Sequence, residues 1–255
     1  MKRNYFIIVL ITCFYLVGCS AEDDLIEKEN IKIFKKVERY RDGLFFDKVI
    51  NYDSDNRIES IVANKYMGGA APFERVVSVA YSESTVSTIT DAYDYEDPND
   101  TDTEITYNVS SNDNTIDLIS DDVEIEIAHS NGFVDAIITN YGGSYIDTTF
   151  LSRDLNQNLI AVTFNNRAVV NRYSNFDTDK KTDPDGIVVE VIHRDILRIL
   201  GLKLTENNPS TSSQTILEAP SVVKSYTYEY DEEGYITRTY DENLIFYTDT
   251  FYIEE

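Results

Sequence analysis

Residues 224–240, KSYTYEYDEEGYITRTY, constrain the fold more than any other stretch, because they spell out one β-hairpin. Tyr226, Tyr228 and Tyr230 alternate with Thr227 and Glu229, which puts the tyrosines on one face of a strand and the polar residues on the other. Residues 231–234 form the turn. Gly234 takes the positive φ such a connection needs, and Asp231 bonds to neighbouring backbone amides. Residues 235–240 return. A lone hairpin is marginal in water, so the rest of the chain must supply partners.

It does so by repeating the unit. Residues 45–62, FFDKVINYDSDNRIESIV, give a strand at 48–52, a turn at 53–56 and a return at 57–62. Tyr52, Asp53 and Ile58 stand there in the order of Tyr230, Asp231 and Ile236. Residues 75–90 place Val77, Val79 and Tyr81 on one face, with a turn at 82–84. Residues 104–119 do the same with Ile105, Tyr107 and Val109, and residues 123–139 with Val123, Ile125 and Ile127. In residues 146–164 the shared face reads as Ile146, Thr148 and Phe150, with a turn at 154–158. Spacing of roughly twenty to thirty residues between units is the signature of a repeat array.

Between the units, residues 67–72 and the acidic stretch 91–103 read as loops. Residues 25–40 read as an entry strand or a short helix, with strand preferred. Residues 202–220, rich in Ser, Thr and Asn, read as a polar loop, and residues 243–253 as a last strand or pair. Residues 183–201 carry helix signals: Asp183 to cap, Pro184 at the first position, Gly201 at the left-handed end. Val188, Val191, Ile192, Ile196, Ile199 and Leu200 share one helical stripe. A buried strand over 187–192 is the alternative. The expected fold is therefore mainly all-β: an antiparallel meander of about six or more hairpin units. It forms a curled sheet or partly closed barrel, with one short helix near residues 184–200, in a single domain over 31–255.

The N-terminus sets an address. Lys2 and Arg3 precede an apolar run over 5–17 that is too short to span a bilayer permanently, as in a cleaved signal peptide over residues 1–18. Leu16, Val17, Gly18 and Cys19 resemble a bacterial lipobox. That resemblance implies that Cys19 receives diacylglycerol and becomes the first mature residue, leaving 19–30 as a lipidated acidic tether. Ser20 after the cysteine resembles sorting to the outer membrane. Glu22, Asp23 and Asp24 are similar to the signal that exports Bacteroidetes-type lipoproteins to the cell surface; they read equally as a solvated spacer. The other cysteine, Cys13, lies in the leader, so the mature chain can form neither a disulfide nor a cysteine metal site.

The chain carries 22 basic and 46 acidic residues, a formal charge of −24, and losing Lys2 and Arg3 deepens it. Such a field repels phosphate backbones, which excludes nucleic acid as a partner.

The hairpins YDSDNRI (residues 52–58) and YDEEGYI (230–236), the apolar segment followed by Asn207, Asn208 and Pro209, and the closing KSYTYEY resemble Bacteroidetes-type outer-membrane lipoproteins with YD-like β-hairpin repeats. Four of the six turns lack the tyrosine-aspartate pair. The resemblance implies a β-rich fold and an envelope location; it brings no reaction and no functional residue.

No nucleophile elbow, glycine-rich phosphate loop or metal-spaced histidine pair is present. His129 falls at an expected turn and His193 one residue past the apolar stripe, and both read as structural. With so many acids, carboxylate pairs suited to a glycosidase arise by chance. Two acidic clusters are denser: Asp91, Asp94, Glu96, Asp97, Asp100 and Asp102, and Asp177, Asp179, Asp183 and Asp185. The second supplies calcium candidates, although Lys180 and Lys181 interrupt it and neither cluster matches an EF-hand. The chain has 19 tyrosines and no tryptophan. Tyrosine faces can stack on sugars, but here they share the parity expected for the core.

The expected function is a non-enzymatic envelope lipoprotein, a binding or structural module anchored in the outer membrane through Cys19, with no cofactor. Two alternatives stand beside it: a carrier of an apolar ligand between the curved sheet and the helix, and a glycan-binding or carbohydrate-active surface protein. Its partners are the membrane through the lipid, and a glycan, an apolar ligand or an envelope protein.

Overall fold

In a computed structural model the structure describes residues 32–40, 44–66, 73–95, 103–143, 145–165, 169–182, 191, 193–216, 222–241 and 246–254. The expected signal peptide, acidic tether and Cys19 lie outside them. Sixteen strands form one antiparallel meander: β1 Lys32–Tyr40, β2 Leu44–Tyr52, β3 Ile58–Lys65, β4 Phe73–Ser82, β5 Thr85–Tyr95, β6 Thr103–Ser111, β7 Thr115–Ile119, β8 Glu124–Ser130, β9 Phe133–Asn140, β10 Ile146–Arg153, β11 Leu159–Phe164, β12 Val169–Phe176, β13 Pro209–Ile216, β14 Val222–Tyr230, β15 Ile236–Asp241 and β16 Phe246–Glu254. The sheet is not curled or partly closed as expected. β1 pairs with β16 and the barrel closes completely, which removes both sheet edges.

Three of the described hairpin turns share one piece of chemistry. Asp53 Oδ1 accepts the amides of Asp55 and Arg57 at 2.9 and 3.0 Å, Asp154 Oδ1 those of Asn156 and Asn158 at 2.9 and 2.9 Å, and Asp231 Oδ1 those of Glu233 and Tyr235 at 3.1 and 2.9 Å. In each turn the fourth residue is left-handed: Asn56 at φ 60°, Gln157 at 63°, Gly234 at 84°. Each is preceded by a register shift in its strand pair, so the extra residue and the aspartate together reverse the chain.

Facing rows show how the wall is divided. Asn51, Ser60, Ser78, Thr90 and Thr106 are neighbours across β2 to β6 on the outer face, tied by Asn51 Nδ2 donating to Ser60 Oγ at 2.9 Å and by a 3.0 Å Thr90–Thr106 hydroxyl bond. Asp117 and Glu126 stand opposite each other on the outside of β7 and β8. Glu229, Arg238 and Asp249 form an outer row on β14 to β16. The alternate positions, Ile50, Ile61, Val77, Ile89, Leu118, Ile125, Ile127 and Ile137, point into the barrel and are buried in one cluster. Burying such side chains contributes about 1.5–3 kcal/mol each.

Two strands were invisible to sequence patterning. β13, PSTSSQTI, was expected to be loop, and β12 had no assignment. β12 and β13 pair over residues 169–176 and 209–216. Their inward residues Asn171, Ser212 and Gln214 are as polar as the outward Thr211, Ser213 and Thr215, so no alternation marks them. On β10 the expected face is reversed. Ile146 and Phe150 are exposed, whereas Asp147, Thr149 and Leu151 are buried, so β10 places two polar residues inward and two apolar ones outward. β5 runs to Tyr95, so part of the expected acidic loop is strand.

Candidate functional site

Of the connection between β12 and β13, residues 193–208 lie within the barrel as a plug, and residues 177–182 lead into it from β12. The connection enters at the end that holds the turns 53–57, 154–158 and 231–235, and is stitched to the last two of them and to the turn at Gly132 between β8 and β9. Lys181 donates its amide to Gly234 O at 3.0 Å, Glu206 to Gln157 O at 3.2 Å, Lys203 to Gly132 O at 2.8 Å, and Val134 to Lys203 O at 3.1 Å. Asn207 Nδ2 reaches Asn158 Oδ1 at 2.7 Å, and Thr205 Oγ1 accepts the Leu159 amide at 3.1 Å. The Arg153 guanidinium pairs with Asp135 at 3.1 Å and donates to the Val134 and Leu204 carbonyls.

Inside the barrel the plug forms α1, Arg194–Ile199. The helix is shorter than expected: Asp183 and Pro184 lie outside the described residues, and His193 occupies the N-cap. Its C-terminus matches the expectation. Gly201 sits at φ 70°, its amide donates to Arg198 O at 2.9 Å, and that of Leu202 to Leu197 O at 2.9 Å, which is a Schellman motif. Ile196, Leu197 and Ile199 belong to the same buried cluster as Val77 and Ile61. An apolar ligand between sheet and helix would have to displace them.

The other side of α1 carries charge. Asp195 Oδ1 accepts from Lys48 Nζ at 2.8 Å and Asp195 Oδ2 from Arg75 Nη1 at 3.0 Å. Arg75 also grips Asp91 through Nε and Nη2, both at 2.8 Å. Burial pulls the Arg75 pKa down, but the Asp91 bonds and charge outweigh it and raise it above the ordinary value. His193 Nε2 lies 3.3 Å from Thr139 Oγ1. Burial first, then the Arg75 charge, drives its pKa down to about 4, so the ring is neutral at neutral pH.

Opposite the aliphatic half, the lumen wall is polar. The inward residues of β12 to β16 include Asn171 facing Gln214, Tyr173 facing Ser212, and Thr239 facing Thr248. Gln214 Nε2 donates to Asn171 Oδ1 at 3.0 Å, and Ser212 Oγ lies 3.1 Å from Tyr226 Oη. Tyr226 and Tyr228 pack against the core from the inner face, as their parity requires.

The calcium candidates are not drawn together among the described residues. Asp177 accepts a hydrogen bond from Tyr230 Oη, Asp179 is exposed, and Asp183 and Asp185 lie outside the description. No group of three or more His, Cys, Asp or Glu residues among the described ones is arranged to hold a metal ion. Of the other acidic cluster, Asp91 turns inward to Arg75 while Asp94 is exposed on the outer face. His129 lies at the end of β8 rather than in the turn. Sequence reasoning missed Lys48 and Arg75, although both carry a signal: each is a cation at the inward parity of a strand, beside Ile50 and Val77.

No family model matches the chain, and no curated protein matches it as a relative. Among solved structures it is similar to a porin-like protein from Bacteroides vulgatus, at 12% identity and a TM-score of 0.49, over 88% of this chain and 99% of that one. It is also similar to a porin-like protein from Bacteroides uniformis, at 10% identity and a TM-score of 0.43, over 86% of this chain and 98% of that one.

Proposed function

We propose that the chain is a non-enzymatic envelope lipoprotein whose barrel stands in water, held at the outer membrane by Cys19, and serves as a binding module through its lumen. The observation that carries this reading is the polarity of the wall. A barrel that crosses a bilayer presents an apolar band about 25 Å tall outward and polar residues inward. Here the outer rows hold Asn51, Ser60, Ser78, Thr90 and Thr106, and the paired carboxylates Asp117 and Glu126. Ile50, Ile61 and Val77 face in, and a plug fills one end. An arginine or lysine at mid-bilayer on the lipid face costs about 2–4 kcal/mol, and a carboxylate there is unfavourable by less.

No helix among the described residues is long and apolar enough to cross a membrane, which leaves strands as the only route through one for that part of the chain. The lipid then carries the attachment alone, since each buried methylene contributes about 0.8 kcal/mol.

Replacing Cys19 with Ala tests the reading: the variant should appear as a folded, detergent-free monomer in the soluble envelope fraction. Retention of a folded, processed variant in the membrane would contradict it.

A further inference from the structure

The wall of β1 to β5 sorts charge between its two faces. Toward the mouth opposite the plug's entry, Glu38, Asp47, Asn64, Glu74 and Asp94 stand side by side in one outward row. The two inward rows that flank it carry the opposite sign. Arg39, Phe46, Lys65 and Phe73 are neighbours in the row nearest the mouth, and Lys48, Ala63, Arg75 and Tyr93 in the next one down. Each of β1 to β4 therefore turns one cation inward, in a chain whose acids outnumber its bases 46 to 22.

The plug accounts for the deeper row. Lys48 and Arg75 hold Asp195, and Arg75 also holds Asp91. That row is closed to solvent, with Lys48 2% and Ala63 4% exposed. The row nearest the mouth differs. Phe46, Lys65 and Phe73 are only half-buried, and Tyr66 at the rim is 45% exposed. Lys65 makes no ion pair among the described residues; its ammonium lies 5.8 Å from the centroid of the Phe73 ring. A ring face attracts a cation without neutralising it. Phe46 is the neighbour of Lys65 on the other strand, so a solvent-reachable positive charge stands between two phenylalanines.

We infer that this arc of the mouth binds an organic monoanion, a carboxylate joined to an apolar body, with its charge on Lys65 and its body against Phe46 and Phe73. This names the ligand class of the water-standing binding module and rests on that reading. A lysine ammonium is a compact point charge that suits a single carboxylate. The planar fork that would clasp a second anionic group, that of Arg75, is engaged by Asp91 through Nε and Nη2. The Asp195 network fills the row beneath, so the guest sits above the plug. The chain's negative charge opposes anions at long range, but screening cuts that field off within about 8 Å at physiological ionic strength. The acids of β1 to β5 project from the far side of the wall, so the nearest charge, Lys65, governs the site. A neutral or cationic ligand with the same body gains nothing from Lys65, and an inorganic anion gains nothing from the rings.

The test is an NMR titration that follows the protein signals of the full chain carrying Cys19→Ala, first shown to be folded without detergent. The probe is hexanoate, with hexanol, hexylamine and inorganic phosphate as comparisons. Hexanoate should bind about tenfold or more tighter than each of the other three. Lys65→Met keeps an apolar stem in place and should weaken hexanoate by about tenfold or more. Lys36→Met removes an outward lysine of β1 that pairs with Glu38 and should leave hexanoate binding unchanged. A folded chain that takes no hexanoate, or takes any comparison probe equally well, would overturn the site. So would a Lys65→Met chain that binds as before, or a Lys36→Met chain that loses as much. A chain that folds only in detergent would instead overturn the underlying reading of the barrel.

Discussion

Asp195 of the plug helix lies 2.8 Å from the ammonium of Lys48, a residue 2% exposed and 147 positions earlier in the chain. The same carboxylate holds Arg75 at 3.0 Å, and Arg75 holds Asp91. One plug residue therefore satisfies charges on two wall strands, β2 and β4.

Removing Asp195 should thus cost more than removing either wall cation. Breaking a buried pair by deleting one member costs about 3–5 kcal/mol, and Asp195→Ala leaves Lys48 without this carboxylate. Lys48→Met leaves Asp195 paired to Arg75 and should cost clearly less. Chemical denaturation of the two variants checks the order, and equal losses would mean that the pairs act independently.

His193 makes the fold sensitive to mild acid. Its folded-state pKa is lowered from 6.5 to about 4, so the unfolded chain binds more protons between those values. Stability is complete above pH 6.5 and falls as pH drops toward 4, by at most about 3 kcal/mol. Between pH 6.5 and 5 ordinary carboxylates stay ionised. In that window His193→Gln should flatten the slope of denaturation midpoint against pH, and an unchanged slope would exclude His193 as its source.

The three aspartate turns predict opposite signs for two substitutions at equivalent places. Gly234 sits at φ 84°, and a Cβ there would meet only ordinary van der Waals contact, Lys180 Cδ at 3.6 Å and Lys180 Cα at 4.0 Å, so Gly234→Ala should lose about 1–2 kcal/mol from the left-handed backbone alone. Asn56 occupies the same place at φ 60°, and Asn56→Gly should be neutral or slightly stabilising. Thermal denaturation of both variants reads the two signs.

Asp231→Ala removes the acceptor of two backbone amides. It should cost about 1–3 kcal/mol, at about 0.5–1.5 kcal/mol for each bond. Asp231→Asn keeps an acceptor and should recover most of that loss, whereas a catalytic acid would not be rescued this way.

The local grammar of the fold was legible wherever one face was apolar. Val77 with Val79, Ile125 with Ile127, and the turn aspartates Asp53, Asp154 and Asp231 all behave as their spacing implies. Legibility failed where the lumen itself is polar. β13 has Ser212 and Gln214 facing in and Thr211 and Ser213 facing out, and β10 hides Asp147 and Thr149 while exposing Phe150. Alternation cannot report which side is inside when the inside is hydrophilic. Closure was illegible for another reason: it depends on β1 meeting β16 across the whole chain, and no local pattern encodes that pairing. The Lys48–Asp195 contact is of the same kind, since neither residue's surroundings in sequence name the other.

The claim that the outer wall faces water is tested most directly at Thr90 on β5 and Glu126 on β8, two outward positions with β6 and β7 between them. Each is replaced by Cys in the otherwise unchanged lipidated chain. Each variant is then treated with a membrane-impermeant maleimide in envelope preparations opened on both faces. Rapid labelling at both sites without detergent is the expected result. Protection at both sites that only detergent relieves would place the strands in lipid and contradict the reading.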